Sequence, residues 1–154
     1  MGEAVPQTTT SPRTARSWGT LPVWLAGILA ALAAAVVAEA FTLAARGAGV
    51  PMAAAGVWES EPQRIPVGGI AQSVVIWSIG GILLAVVLHR RARRPARTFV
   101  IATVVFTALS LAGPLLARNT ALSTQVVLVA THVLAASVVV PLLARRLSLR
   151  DAPR

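Results

Sequence analysis

The feature that most constrains this chain is a set of four long apolar stretches without Arg or Lys. They cover residues 21–45, 69–88, 98–117 and 122–144. A helix rises about 1.5 Å per residue, so about 20 residues cross the roughly 30 Å hydrocarbon core of a bilayer. Each stretch is continuously apolar, whereas a barrel strand would alternate with period two over about ten residues. The pattern predicts an all-α fold, an integral membrane four-helix up-down bundle.

The segments outside these stretches set the domain boundaries. Residues 1–20 are rich in Thr, Ser and Pro and too polar to build a core, which predicts a disordered N-terminal tail. Residues 21–149 form the predicted four-transmembrane-helix domain, and residues 150–154 form a short second tail. A cleaved signal peptide is the alternative for the first stretch, since Ala38-Glu39-Ala40 matches a small-x-small cleavage site. Its apolar run exceeds the usual length of about 7 to 15 residues, which favours a span.

The distribution of positive charge predicts the orientation of the chain. All 14 basic residues are arginines, and only Arg46, Arg64 and Arg118 lie in the first and third connections. The other 11 precede the first span, follow the second or follow the fourth, so the positive-inside rule places both termini in the cytoplasm. We interpret the arginines near the spans as topology anchors that contact anionic lipid headgroups, not nucleic acid. They are Arg90, Arg91, Arg93, Arg94, Arg97, Arg145 and Arg146.

The amino-acid composition indicates the kind of genome that encodes the chain and limits the catalytic and metal sites that it can form. Arginine without lysine, together with Ala-rich spans, fits a GC-rich bacterial coding sequence. There is no cysteine, so disulfides and thiolate metal sites are excluded. One carboxylate and one deep histidine are too few for a protein-only metal site, and no phosphate-binding glycine motif occurs. We therefore expect no enzymatic activity, cofactor or metal. Ser110, His132 and Glu39 have the residue types of a hydrolytic triad, but no nucleophile elbow surrounds Ser110.

Small residues at four-residue spacing predict which helix faces pack. In the first span they form two ladders, each along one side of the helix. Such ladders of small side chains let helix backbones approach closely in lipid. A similar line in the second span runs through Gly69, Ser73, Trp77 and Gly81, where we expect a neighbouring helix. The external segment "MAAAGVWE" is predicted to form a short helical turn on the membrane surface, with Trp58 as an interfacial anchor. The ladders of the first span are Ala26, Ala30, Ala34, Ala38 and Thr42, and Gly27, Ala31, Ala35 and Glu39.

Polar residues of three spans lie at similar predicted depths. Counted from the external ends, Glu39 is about 9 Å deep, Ser110 about 10 Å and His132 about 15 Å. Pro114 disfavours the helical hydrogen bond of the Ser110 carbonyl, and Pro141 has the same expected effect on Ser137. An isolated ionised carboxylate in hydrocarbon is costly, so Glu39 should be neutral, paired or hydrated. We predict a buried polar cluster of Glu39, Thr107, Ser110 and His132, in which Glu39 and His132 share a hydrogen bond or a proton.

Two short motifs carry a resemblance to a known family. "SLAGPLLA" in the third span and "THVLAASVVVPLLARRL" in the fourth resemble small four-span membrane proteins of high-GC Gram-positive bacteria, defined only as a domain of unknown function. The resemblance covers roughly residues 21–149 and includes "GVP" after the first span. It implies the four-span architecture and a bacterial plasma membrane, and it carries over no catalytic or binding residue.

Two functions remain open at this level. The first is a non-enzymatic structural or interaction protein that assembles with lipid, with another membrane protein or with itself. The second is an oligomeric proton-coupled transporter of a small cationic or amphipathic solute. Small multidrug transporters are similar in having four short spans and an embedded Glu in the first. This chain departs from them in its long N-terminal tail, its lack of Tyr and its 23-residue first external connection.

Overall fold

The computed structural model describes residues 21–56 and 61–149. The predicted tails and Trp58, the predicted interfacial anchor, lie outside the described residues. Within them, the chain forms five helices and one small β-hairpin, in the order α1, β1, β2, α2, α3, α4 and α5. Their bounds are Val23–Gly47, Ala53–Ala54, Gln63–Arg64, Gly69–Arg91, Pro95–Ser110, Ala112–Leu116 and Leu122–Ser148.

Four segments are long and apolar enough to cross a membrane: α1, α2, the α3–α4 pair and α5. This confirms the predicted all-α, four-span fold. The bundle has two ends, which we name by what they carry. The terminal end holds the start of α1, the end of α2, the start of α3 and the end of α5. The hairpin end holds β1, β2 and the connection between α4 and α5. A chain with this architecture is a multi-pass membrane protein.

The helices form a ring in which α1 has two main neighbours. Helix α1 packs extensively against both α2 and α5, α3 packs against α5, and α2 and α3 make a smaller contact. Successive spans are therefore antiparallel neighbours. At the terminal end, all four spans contribute to one core cluster in which Phe99 of α3 is completely buried. Its other members are Val23, Ala85, Leu143 and Leu147.

The small-residue face of α1 is buried along its whole length, as predicted. Ala30, Ala34 and Ala38 have no exposed surface, and their neighbours on the two ladders are also buried except for the half-buried Glu39. Gly27 has a specific reason to be glycine, because a Cβ there would lie 2.7 Å from Cγ1 of Ile82 in α2. The small side chains of this face thus let α1 pack against both α2 and α5.

The corresponding prediction for α2 is wrong. Trp77 is 81% exposed, Ser73 is exposed, and nothing lies within 4 Å of a Cβ built on Gly81. This face points away from the bundle because α2 is a peripheral helix whose main partner within the chain is α1. Small-residue spacing alone does not identify which of two faces meets a neighbour.

The two prolines of the later spans have different effects. Pro114 lies in the first turn of α4, and the helix of the third span is interrupted at Leu111. That interruption agrees with the predicted disturbance beside Ser110. Pro141 instead lies inside the unbroken helix α5.

The first connection forms a hairpin and not the predicted helical turn. Ala53 pairs with Arg64 and Ala54 with Gln63 in antiparallel register. Met52, which is completely buried, accepts a hydrogen bond of 2.9 Å from the N–H of Ile65. Pairing with residues 63–65 satisfies backbone groups of residues 52–54 that a single helical turn would have left to solvent.

Candidate functional site: a carboxylate at the start of the second span

The carboxylate of Glu39 binds the N-terminus of α2. Its Oε1 accepts a hydrogen bond of 2.7 Å from the N–H of Gly68, and its Oε2 accepts one of 3.0 Å from the N–H of Ala71. Gly68 is the residue that precedes the first turn of α2, and Ala71 is the third helical residue. An acidic side chain of α1 therefore caps α2 across a separation of 29 residues in sequence.

The sequence at the start of α2 explains why a cap from elsewhere is needed. The first N–H groups of a helix have no partner within the helix, and a Ser, Thr, Asp or Asn usually supplies one. Gly68 has no side chain, and its φ of 85° is a left-handed conformation that glycine adopts without strain. Glu39 replaces the missing cap, and its negative charge also suits the positive end of the helix dipole.

Two further residues on the same face of α1 extend this contact towards the hairpin end. Thr42 Oγ1 donates a hydrogen bond of 2.9 Å to the carbonyl of Glu39. Arg46 Nη2 donates to the carbonyl of Ile65 at 2.6 Å and to that of Pro66 at 3.4 Å. Glu39 and Arg46 are two turns apart, so together they hold residues 65–71 against α1 at both ends. We call Glu39, Arg46 and residues 65–71 the loop clamp.

The connection between α4 and α5 is tied to the hairpin. The N–H of Ala55 donates to Oγ1 of Thr120 at 3.1 Å, and Gln125 Nε2 donates to the carbonyl of Ala117 at 2.9 Å. The first bond joins the hairpin to the third connection, and the second holds the third connection to the start of α5. The loop clamp is thus part of a fixed hairpin end.

A groove with a volume of about 700 Å³ runs beside Glu39 between α1 and α2. Its walls are apolar side chains of both helices, including Leu32, Val36 and Val75, and Glu39 and Gln72 are its polar residues. The groove is open on the outer surface of the bundle. A chain-like apolar group can lie in it with one end near the carboxylate.

The four residues of the predicted polar cluster do not form one hydrogen-bonded network. In the described part of the chain, no direct hydrogen bond joins Glu39 to His132, since Glu39 binds the start of α2. His132 Nδ1 lies 2.7 Å from the Leu128 carbonyl, one turn earlier in α5. Ser110 Oγ donates to the carbonyl of Thr107 at 2.7 Å, so these two residues are linked within their own helix. Local backbone carbonyls satisfy the serine and the histidine, a common solution for polar side chains in membrane helices.

Sequence reasoning singled out Glu39 but missed Arg46, Gly68 and Ala71. Two of these partners act through backbone N–H groups, which carry no residue-type signal. One signal was available: the cap position Gly68 and the first helical residue Gly69 form a pair without any capping side chain.

The arginines interpreted as anchors all lie at the terminal end. Arg90 and Arg91 end α2, Arg93 and Arg94 form the connection, and Arg97 lies in the first turn of α3. Arg145 and Arg146 lie in the last turn of α5. Across the residues that the structure describes, no three His, Cys, Asp or Glu side chains are grouped so as to hold a metal ion.

No curated protein and no solved structure shows a significant match to this chain. The model of a family of unknown function, DUF6069, matches residues 19–149. That match includes all four membrane-spanning segments, the loop clamp and the arginines of the terminal end, and it covers most of the chain. The chain therefore belongs to the DUF6069 family of unknown function.

Proposed function

We propose that this chain is a non-enzymatic integral membrane protein of a bacterial plasma membrane, which acts by assembling with lipid and with a second copy or another membrane protein. The observation that carries this proposal is the use of Glu39 as a cap for α2. Glu39 is the acidic residue of the four spans, and both of its oxygens already accept backbone hydrogen bonds. A carboxylate in this position stabilises the arrangement of two helices.

The same observation weighs against a catalytic or carrier role for Glu39. A carrier carboxylate must release a proton or bind a substrate in each cycle. Here proton uptake by the carboxylate, or its binding to a substrate, would weaken or break the hydrogen bonds from the N–H groups of Gly68 and Ala71. A buried donor left without an acceptor costs about 1 to 3 kcal/mol. The capping geometry therefore favours a fixed role.

The outer surface of the bundle supports assembly. Trp77 of α2, Phe106 of α3 and Leu116 of α4 are each at least 65% exposed within the chain. In a bilayer such side chains contact lipid tails or the helices of a partner. The second and third spans are the least buried within the chain, which leaves their outward faces free to contact a partner.

The arginine distribution supports an orientation with the terminal end in the cytoplasm. Seven arginines of this end lie within or beside the described helix ends, against Arg46, Arg64 and Arg118 at the hairpin end. The positive-inside rule assigns the arginine-rich side to the cytoplasm. We infer that the hairpin and the loop clamp face the outside of the cell.

Proton flux in proteoliposomes tests the proposed role of Glu39. We expect wild-type protein, Glu39→Gln and Glu61→Gln to give no proton flux above that of protein-free vesicles under an imposed membrane potential. Glu61 is an exposed residue of the hairpin end, so its variant is a matched control for the change from carboxylate to amide. Flux in wild type that disappears in Glu39→Gln and persists in Glu61→Gln would contradict the proposal.

A second candidate function is an oligomeric proton-coupled transporter of a small cationic or amphipathic solute. The groove beside Glu39 favours it, because apolar walls with one carboxylate suit a lipophilic cation. Binding of such a cation would require Glu39 to exchange its backbone partners for the solute. Uptake of a fluorescent lipophilic cation driven by a pH gradient, lost in Glu39→Gln, would favour this candidate over the first.

A further inference from the structure

A second cavity opens at the terminal end, where α1, α2 and α5 meet. Its volume is about 260 Å³, and three charged or titratable side chains line it: His89 and Arg90 of α2, and Arg146 of α5. Trp24 and apolar side chains of α1 and α2 complete its walls. This cavity is separate from the groove beside Glu39, which lies towards the opposite end of α1.

The guanidinium of Arg146 is held in place at the wall of this cavity. Its Nε donates a hydrogen bond of 2.6 Å to the carbonyl of Leu21, which precedes α1. Within residues 21–56 and 61–149, its two Nη atoms have no hydrogen-bond acceptor. A guanidinium with its Nε bound and its Nη groups available is suited to bind two oxygens of a phosphate group.

The described carboxylates do not neutralise the charge of this cavity. Arg90 and Arg146 bring two positive charges to it, whereas Glu39 and Glu61 belong to the hairpin end of the bundle. The favoured ligand is therefore an anion. Basic pockets between membrane helices at the cytoplasmic side bind anionic lipid headgroups by this kind of complementarity.

The position and size of the cavity point to a headgroup. It lies at the ends of three apolar spans, which is the level of lipid phosphates in a bilayer. Trp24 is 53% exposed there, and tryptophan favours this interfacial level. A volume of about 260 Å³ is smaller than the roughly 300 to 1,000 Å³ of pockets for drug-sized ligands. It suits a headgroup whose acyl chains lie outside, along the helices.

We propose that this cavity binds the phosphate of an acidic phospholipid, with Arg146 and Arg90 as its ligands. The proposal rests on the integral membrane protein proposed above and assigns a site for its assembly with lipid, but it does not depend on the role proposed for Glu39. Proton flux that requires Glu39 would overturn the fixed role of that residue and leave the lipid site standing, whereas absence of a preference for anionic lipid would overturn the lipid site alone. The proposal goes beyond general attraction of an arginine-rich face to anionic membranes, because it assigns binding to two of the seven anchors.

Neighbouring arginines provide a matched control. Arg91 follows Arg90 in α2 and Arg145 precedes Arg146 in α5, and neither lines the cavity. Arg90→Gln/Arg146→Gln and Arg91→Gln/Arg145→Gln thus remove the same charge from the same helix ends. General surface attraction predicts equal effects of the two pairs, whereas a built site predicts an effect of the first pair alone.

Quenching of Trp24 fluorescence by brominated lipids measures binding at the cavity. For this measurement, Trp18, Trp58 and Trp77 of the full chain are each replaced by Phe, so that Trp24 is the one fluorescent tryptophan. The protein is reconstituted into phosphatidylcholine vesicles. A small, equal fraction of brominated phosphatidylglycerol or brominated phosphatidylcholine is then added. We expect the anionic lipid to quench Trp24 more strongly, and we expect Arg90→Gln/Arg146→Gln to reduce that preference roughly tenfold. Arg91→Gln/Arg145→Gln should leave it within about twofold of wild type.

Three outcomes would overturn the proposal. They are equal quenching of wild type by the two lipids, equal loss of preference in both double variants, and full retention of preference in the first. If that variant does not fold, Arg90→Gln alone serves, since Arg90 is exposed and makes no hydrogen bond with the described residues. Retained preference in Arg90→Gln would then overturn it.

A soluble phosphate ion offers Arg90 and Arg146 the same phosphate oxygens as a lipid headgroup does. Inorganic phosphate is added to wild type and both double variants in neutral detergent without phospholipid, and thermal unfolding is followed. We expect no stabilisation that depends on Arg90 and Arg146. Stabilisation by inorganic phosphate that is lost only in Arg90→Gln/Arg146→Gln would assign the site to a soluble phosphate and overturn the lipid proposal.

Discussion

Glu39 of α1 and Gly68 at the start of α2 are joined by a hydrogen bond of 2.7 Å from the Gly68 N–H to Oε1 of the carboxylate. The residue that interrupts the apolar first span is thus the cap of the second. This link holds the start of α2 against the part of α1 nearest the hairpin end. Arg46 holds the preceding loop, so the loop clamp determines where the hairpin end meets the bundle.

Replacement of Glu39 by Gln is expected to destabilise the protein. The amide oxygen can accept one backbone hydrogen bond, but the amide NH2 group would face the second N–H and the charge would be lost. Removal of a helix cap costs about 0.5 to 2 kcal/mol, so we expect the free energy of unfolding to fall by about 1 to 2 kcal/mol. Equilibrium unfolding in mixed detergent and SDS micelles measures this change.

Glu61→Gln is the control for that substitution and should leave the free energy of unfolding unchanged, because Glu61 is exposed. Equal stability of Glu39→Gln and wild type would show that capping by Glu39 contributes nothing. Amide hydrogen exchange gives a local readout, since the amides of Gly68 and Ala71 should exchange faster in Glu39→Gln than in wild type.

The partner of Glu39 shows why part of the site could not be predicted. Sequence reasoning expected this carboxylate to be neutral, paired or hydrated, because an isolated charge in hydrocarbon is costly. It considered side chains, and His132 was the deep titratable one. The partners are the N–H groups of Gly68 and Ala71, which every residue type except proline would offer. Only the three-dimensional path of the first connection brings them to Glu39.

The helices themselves were predictable to a greater extent. Apolar length alone predicts four spans, and the alanine ladder predicts the buried face of α1 because alanine repeated every fourth residue marks one side of a helix. The exposed face of α2 could not be predicted in the same way, since Gly81 and Ser73 suit lipid contact, a partner chain or a neighbouring span equally well. To choose among these three environments, one must know that this face of α2 points away from the other helices of the bundle.

Substitution of Gly27 by Ala is expected to disturb the contact of α1 with α2. The new Cβ would lie 2.7 Å from Cγ1 and 3.2 Å from Cγ2 of Ile82. Overpacking costs about 1 to 3 kcal/mol, and the better helix propensity of Ala offsets up to about 1 kcal/mol of it. We expect a net loss of about 1 kcal/mol in the free energy of unfolding.

Gly80→Ala is the matched control, because nothing lies within 4 Å of a Cβ at that position in α2. It should be neutral or slightly stabilising. Gly27→Ala/Ile82→Ala should lose less than the sum of its two single variants, since the truncated Ile82 no longer meets the new methyl group. Additive effects in this double-mutant cycle would contradict the close contact of Gly27 with Ile82.

Two completely buried threonines are expected to respond differently to replacement by Val. Thr42 Oγ1 donates to the carbonyl of Glu39 at 2.9 Å. Thr124 Oγ1 has no hydrogen-bond partner among the residues described. A buried hydroxyl without a partner is unfavourable, so Thr124→Val should match or exceed wild type in the free energy of unfolding. Thr42→Val loses a hydrogen bond, so its free energy of unfolding should be about 1 kcal/mol lower than that of wild type. Equal thermal unfolding of the two variants in the same detergent would contradict this difference.

Site-specific labelling tests the orientation that we infer for the two ends. The chain has no cysteine, so Arg93→Cys and Arg118→Cys each introduce a single thiol at an exposed arginine. Arg93 lies between α2 and α3 at the terminal end, and Arg118 lies between α4 and α5 at the hairpin end. In intact bacterial cells, a membrane-impermeant maleimide should label Arg118→Cys and should label Arg93→Cys only after the cells are opened. Labelling of Arg93→Cys in intact cells would place the arginine-rich end outside, which would contradict the positive-inside inference.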